Sequence, residues 1–176
     1  MHKIEGSKQK PQITFRKPGR EDGSAIWDLI ASCHPLDENS MYCNLIQCDH
    51  FSDTCVLAEM NGEPVGWISA YRMPDDLETL FVWQVAVSEK ARGQGLGTRM
   101  LEHLVEREEC DGVNRLQTTI TLDNDASWAL FGRFSTNVSG KLTSQPYFQR
   151  DHHFDGRHAT EHMVTIRFAE ELKRAA

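Results

Sequence analysis

Phe81-Val82-Trp83-Gln84-Val85-Ala86-Val87, followed four residues later by Arg92-Gly93-Gln94-Gly95-Leu96-Gly97, is the stretch that decides how this chain folds. The first piece is a nearly continuous apolar run interrupted by Gln84, and it reads as a strand buried on both faces. The glycines that follow allow a tight turn and leave several backbone N–H groups exposed. The helix after them adds the unpaired donors of its first turn, and Leu96, Met100, Leu101, Leu104 and Val105 give that helix one broad apolar face. Such a turn can cradle a diphosphate, with Arg92 as a neighbouring cation. The same residues also suit a plain tight turn ahead of a surface helix, and spacing alone leaves both readings open. A P-loop is a poor fit, because Gly97 is followed by Thr98 with no lysine. A dinucleotide fingerprint is a poor fit too, because the glycines fall at 93, 95 and 97 rather than in GxGxxG spacing.

Upstream of this passage, residues 54–59 and 64–73 flank Asn61-Gly62, a strong hairpin signal, and Pro74-Asp75-Asp76 closes the second strand. Residues 13–16 suit a first strand, stopped by Pro18 and Gly19. An amphipathic helix is expected over about 22–32, with Ala25, Ile26, Trp27, Leu29 and Ile30 as its apolar stripe. Cys33-His34-Pro35-Leu36-Asp37 breaks it, and a second short helix is expected over about 39–48, for which Asp37 is one candidate cap. Downstream, Gly112 ends the glycine-turn unit and residues 116–121 read as a strand. Asp123 or Asn124 can cap the helix containing Ala126, Trp128, Leu130 and Phe131. Residues 136–157 are polar and read as a long loop, with room for a short strand at Tyr147-Phe148. Residues 162–168 suit a last strand and 169–176 a terminal helix. Residues 1–12 read as a flexible arm and 13–176 as one domain. This order of elements argues for an α/β or α+β class.

With 176 residues, 39% apolar and 26% charged, the chain is long enough for one full core without a disulfide or metal staple. The net charge of −7 disfavours nucleic acid as a partner and still permits a local cationic site for a phosphorylated small molecule. No apolar run is long enough to span a bilayer, and the first residues lack the apolar segment of a secretory signal. Cys33, Cys43, Cys48, Cys55 and Cys110 are odd in number with no CxxC pair, which speaks against structural zinc. Free thiols fit a reducing cytoplasm. His152, His153, His158 and His162 lack a zinc-ligand spacing, so no metal is expected.

The passage from Arg92 to Gly97 resembles the acyl-CoA diphosphate motif of the GCN5-related N-acetyltransferases, Q/R-x-x-G-x-G/A, with Arg92, Gly95 and Gly97 in its defined positions. The strand at 81–87 sits where that family has its central splayed strand. The resemblance covers about residues 13–168. Within the superfamily the chain is most similar to the L-2,4-diaminobutyrate acetyltransferases of ectoine synthesis, on the strength of Cys33 to Tyr42, Phe81 to Val87, Thr119 to Asn124, and the stretch from Gln149 to His162. The resemblance implies a mixed, mostly antiparallel sheet, splayed at the acetyl-CoA site and flanked by helices. It also implies a cytoplasmic homodimer that acetylates the 4-amino group of diaminobutyrate by direct attack in a ternary complex.

For cofactor binding, the resemblance points to Val85, Ala86, Val87, Arg92, Gly93, Gln94, Gly95, Leu96, Gly97, Thr98 and Asn124. The backbone N–H near Val85 would stabilise the thioester oxyanion. Asn124 carries two readings, helix cap or amide contact to the cofactor. Asp37, Tyr42, Trp83, His158 and Glu161 are the candidate acceptor residues. Asp37 and Glu161 would meet ammonium groups, and either would serve as base if its pKa rose toward neutrality. Tyr42 offers a hydrogen bond and Trp83 a wall or cation–π face. Core packing for Trp83 and a solvated strand edge for Glu161 stand beside those roles. Phe131 departs from the many relatives that carry a proton-donating tyrosine there, because its ring has no proton to give. Two alternatives to this reading are an acetyltransferase for another small amine and a non-catalytic acetyl-CoA-binding module.

Overall fold

A computed structural model describes residues 12–169. The elements run β1 (Ile13–Arg16), α1 (Gly23–Ala31), α2 (Met41–His50), β2 (Val56–Met60), β3 (Glu63–Met73), β4 (Asp76–Val87), α3 (Leu96–Val105), β5 (Arg115–Thr121), α4 (Asp125–Asn137), β6 (Lys141–Phe148), α5 (Arg150–His153) and β7 (Glu161–Arg167). The arm expected at 1–12 lies outside the described residues except for Gln12. The terminal helix expected at 169–176 lies outside them except for Ala169, which is not helical.

The strands form one sheet in the order β1-β2-β3-β4-β5-β7-β6. Every neighbouring pair is antiparallel except β4 and β5. Period-two alternation gives the sheet two apolar faces. In β2, Val56 and Ala58 join Met100, Leu101, Leu104, Phe131 and Phe134 in one core under α3 and α4. Leu57 turns the other way and joins Ile26, Leu29, Ile30, Trp67 and Ala86 under α1. Burying each such leucine or isoleucine contributes about 1.5–3 kcal/mol, so both faces need their helices.

The parallel pair makes the site. β4 and β5 are in register only over Thr79–Phe81 and Arg115–Gln117. Beyond Phe81 the strands separate, leaving the second half of β4 without a β5 partner. This is the splayed, mostly antiparallel sheet that the resemblance implies.

The structure corrects several sequence expectations. The long loop expected over 136–157 holds an eight-residue strand, Lys141–Phe148, and the helical turn Arg150–His153. Among the described residues β6 is the sheet's outer edge, paired only with β7. Nearly all of it is exposed, so no apolar alternation marked it, and Pro146 is tolerated at an edge. β4 begins at Asp76, five residues before the apolar run. It is not buried on both faces, since Trp83 is 49% exposed. α2 starts at Met41, after Ser40, whose hydroxyl accepts the Cys43 N–H at 3.1 Å. Asp37 therefore stays in the preceding loop and does not cap the helix.

Candidate active site

A bulge in β4 determines which backbone groups face the splay. Ser69 pairs with Gln84 and Ala70 with Val82, so Trp83 is the extra residue. Before the bulge, even-numbered residues turn toward β5, as the Glu78 carbonyl does in accepting the Asn114 N–H at 2.9 Å. After it the parity reverses. Ser88 donates to Val65 on β3 at 2.9 Å, so Val87 and Val85 turn their N–H and C=O groups toward the open side. The Val87 carbonyl accepts there from Arg92 Nε at 3.2 Å and from Cys33 Sγ at 3.4 Å. One inserted residue thus places unpaired strand donors inside the cleft.

The glycine turn closes one side of that cleft. Gly93 and Gly95 have φ of +74° and +68°, and Gly95 is the N-cap of α3. Apart from its own backbone and chain neighbours, no heavy atom among the described residues lies within 4 Å of a Cβ added at Gly95, so its requirement is conformational, not steric. Gly97 answers a different need: a Cβ there would meet Leu130 at 2.9 Å, so its bareness lets α3 approach α4. The first N–H groups of α3 have no partners in the helix and point, with the positive end of its dipole, toward the cleft. On the facing side Asn124 caps α4, its Oδ1 accepting the Ser127 N–H at 3.0 Å, and it also lines the cleft.

The cleft has a volume of about 1000 Å³, the upper end of ordinary ligand pockets. It brings together Val85, Val87, Arg92, Gly93, Gly95, Leu96, Gly97, Thr98 and Asn124 of the expected cofactor set, with Asp37, His158 and Glu161 of the acceptor set. Ala86 is instead buried under α1, and the Gln94 side chain lies on the surface, donating to Lys90 at 3.4 Å. Sequence reasoning missed Thr121, Ser127, Leu130 and Arg133, which also line the cleft. Ala126, Leu130 and Arg133 fall at helical i, i+4, i+7 spacing on α4, the one signal that pointed to this wall. Phe131 is 3% exposed and packs in the α3–α4 core rather than lining the cleft.

The side chains expected to meet the acceptor lie on the α1–α2 side of the sheet. Ile120 and His162 pair, as do Thr121 and Glu161. Ile120 belongs to the α3–α4 core, so Glu161 points to the opposite face. Burial pushes the Glu161 carboxyl above the usual carboxylate range, opposed by His158 and a Thr119 hydrogen bond and reinforced by Asp37. Glu161 Oε2 has no hydrogen-bond partner among the described residues. Asp37 is held by its backbone: its carbonyl accepts Gln84 Nε2 at 2.8 Å, and Asn39 Nδ2 donates back to Gln84 at 3.4 Å. Trp83 shares this face but lines a separate hollow of about 310 Å³ with Gln47, Phe51 and Tyr71. Tyr42, in the first turn of α2, is 71% exposed and lines neither cavity.

A sheet splayed beside a glycine turn, with strand donors and a helix N-terminus facing one cleft, is the framework of an acetyl-CoA-dependent N-acetyltransferase. The chain belongs to the acetyltransferase (GNAT) family, whose pattern it matches over residues 24–135. Within that family it stands with the L-2,4-diaminobutyric acid acetyltransferases. It is 49% identical to that of Methylotuvimicrobium alcaliphilum over 89% of this chain and 91% of the relative. It is 44% identical to that of Halomonas elongata over 88% and 80%. The solved diaminobutyrate acetyltransferase EctA from Paenibacillus lautus, in complex with L-2,4-diaminobutyric acid and coenzyme A, superposes with a TM-score of 0.84. That match has 39% identity and covers 89% of this chain and 95% of that one. Ard1 from Thermoplasma volcanium shares the fold alone, with a TM-score of 0.69 at 14% identity, over 89% and 99% of the two chains.

Proposed function

We infer that this chain transfers the acetyl group of acetyl-CoA to the 4-amino group of L-2,4-diaminobutyrate, giving N4-acetyl-L-2,4-diaminobutyrate for ectoine synthesis. The observation that carries this reading is the convergence of a backbone-lined cofactor cleft with a half-buried carboxylate, Glu161, at its acceptor end. The solved relative bound to diaminobutyrate and coenzyme A supports the substrate pair.

The N–H groups of Gly93 to Thr98 hold the diphosphate, with Arg92 beside them, and the open backbone of Val85 and Val87 pairs with the pantetheine arm. Asp37 and Glu161 hold the ammonium groups of the acceptor. Glu161 removes a proton from the attacking amine. The amine nitrogen then bonds to the thioester carbon, the carbonyl oxygen becomes an oxyanion facing the Val85 N–H, and the C–S bond breaks. A preorganised donor of that kind contributes roughly 10²–10³ in rate. A positioned carboxylate base contributes roughly 10²–10⁴. Phe131 supplies no proton to the departing thiolate, so that proton comes from water or another group in the cleft. No cluster of three or more metal-binding side chains occurs among the described residues.

A cytoplasmic homodimer is part of the proposal. The five unpaired cysteines support a reducing compartment. No helix among the described residues is long and apolar enough to cross a membrane. The test is thiol release from acetyl-CoA by the purified protein with diaminobutyrate, ornithine, lysine, putrescine or glutamate. Fastest turnover with diaminobutyrate is expected. A faster reaction with another amine would overturn the substrate, and saturable acetyl-CoA binding without turnover would overturn the enzyme.

A further inference from the structure

Acylation of an ammonium by a thioester gives an amide, a thiol and one free proton. Two protons leave the nitrogen and the thiolate keeps one of them. The other must leave a carboxylate whose side chain is only 19% exposed. We propose that His158 carries this proton from Glu161 to solvent.

Three contacts fix its geometry. His158 Nδ1 lies 2.7 Å from the Ala159 carbonyl. A carbonyl oxygen only accepts, so Nδ1 carries the hydrogen and Nε2 is left as the basic nitrogen of the neutral ring. Nε2 faces Glu161 Oε1 at 3.8 Å. That is beyond a hydrogen bond, and no water fits between; a shift of under about 1 Å closes it, as such contacts tighten once substrate binds. Phe154 packs against the His158 ring, with centroids 4.6 Å apart and planes tilted by 44°. The His158 side chain is itself 40% exposed, so the ring reaches solvent where Glu161 does not.

The segment that carries the ring is tied down as well. The Arg150 N–H donates to Thr160 Oγ1 at 3.0 Å, and the Gly156 N–H donates to the Arg150 carbonyl at 2.9 Å. The long polar stretch between β6 and β7 therefore holds His158 against Glu161.

The step balances without a co-reactant. The acceptor ammonium gives a proton to the Glu161 carboxylate. Glu161 passes it to the Nε2 lone pair as the ring closes on the carboxyl, and the same nitrogen gives it to water once the ring falls back to the 3.8 Å separation, while Nδ1–H stays on the Ala159 carbonyl. The charged and titratable groups around the pair are Asp37 from the α1–α2 loop, Asp123 from the β5–α4 turn and His162 from β7. His158 acts through Glu161 and is a positioning and relay residue, not a contact to the reacting atoms. Phe154 positions the ring.

This inference rests on the proposed acetyl transfer, and one set of assays separates the two. Thiol release, acetyl-CoA affinity and the solvent deuterium isotope effect are measured for wild type, His158→Phe and Phe154→Ala, with and without added imidazole. Thermal melts verify folding. His158→Phe is expected to lower kcat by about 10- to 100-fold with unchanged acetyl-CoA affinity, to enlarge the solvent isotope effect, and to recover several-fold with imidazole, which leaves wild type unaffected. Phe154→Ala is expected to lower kcat by a smaller factor without raising the acceptor KM. Unchanged kcat in His158→Phe, or a loss confined to acceptor KM that imidazole does not restore, would refute the relay. If His158→Phe failed to fold, a wild-type kcat in Phe154→Ala would refute it. No thiol release by wild type would refute the functional reading and the relay with it.

Discussion

The proposed function gives the two ends of the cleft different means of recognition. The cofactor end, from Val85 through Thr98 and across to Asn124, would work mainly through backbone N–H groups exposed by a bulge, two left-handed glycines and a helix N-terminus. The acceptor end would work through side chains, with Asp37 from one loop and His158 and Glu161 from a hairpin more than a hundred residues away in sequence. A backbone site must sit on one contiguous stretch, because adjacent peptide groups build it. A side-chain site needs only that the fold bring its members together. The first should tolerate side-chain replacement and resist backbone change, and the second should behave in the opposite way.

Glu161→Gln probes the second end most severely. Removing the base is expected to lower kcat by roughly 10²–10⁴ while acetyl-CoA affinity, measured by calorimetry, stays within about twofold. A comparable loss of cofactor affinity would erase the distinction between the ends. Gly95→Val probes the first end. A residue with a Cβ held at φ +68° costs about 1–2 kcal/mol, and β-branching adds to that. Acetyl-CoA affinity should fall roughly tenfold, with kcat at saturation much less affected. Asp37→Asn should raise the KM for diaminobutyrate roughly tenfold, since a charge-assisted contact contributes about 1.5–3 kcal/mol, and should leave the acetyl-CoA KM alone.

Smaller effects sharpen the contrast. Asn124→Ala removes the cap of α4 and should cost about 1 kcal/mol in urea denaturation, with an added loss of acetyl-CoA affinity only if the amide also touches the cofactor. Glu161 makes its own prediction about stability. Its folded pKa is raised, so the folded state holds the proton to higher pH than the unfolded chain does. The associated stability is complete below the unfolded value and is lost as pH rises through the folded one. Glu161→Gln should therefore show a small rise in melting temperature over wild type at pH 8 and none at pH 4. A gain of equal size at both would remove burial of the charge as its cause.

The same contrast explains what the sequence made legible. The glycine turn was readable because Gly93 and Gly95 need their own dihedral angles and Gly97 needs its bareness, requirements written at fixed spacing in one stretch. The hairpin at Asn61-Gly62 was readable for the same local reason; both residues have positive φ. β6 was not, because an exposed edge strand needs no apolar alternation, and Lys141–Phe148 is set by pairing with β7. The bulge at Trp83 was not, because it arises from register with β3. For the acceptor end, residue chemistry marked Asp37, His158 and Glu161; closeness in sequence linked His158 to Glu161, while the fold is what brings Asp37 to them. Trp83 and Tyr42, chosen the same way, lie outside the large cleft.

The most direct test of the account is the position of the acetyl group in the product formed from L-2,4-diaminobutyrate and acetyl-CoA, assigned by two-dimensional NMR. An acceptor end built from Asp37 and Glu161 to hold one amine and deprotonate the other predicts a single product acetylated on the 4-nitrogen. Acetylation on the 2-nitrogen, or a mixture of the two, would contradict it.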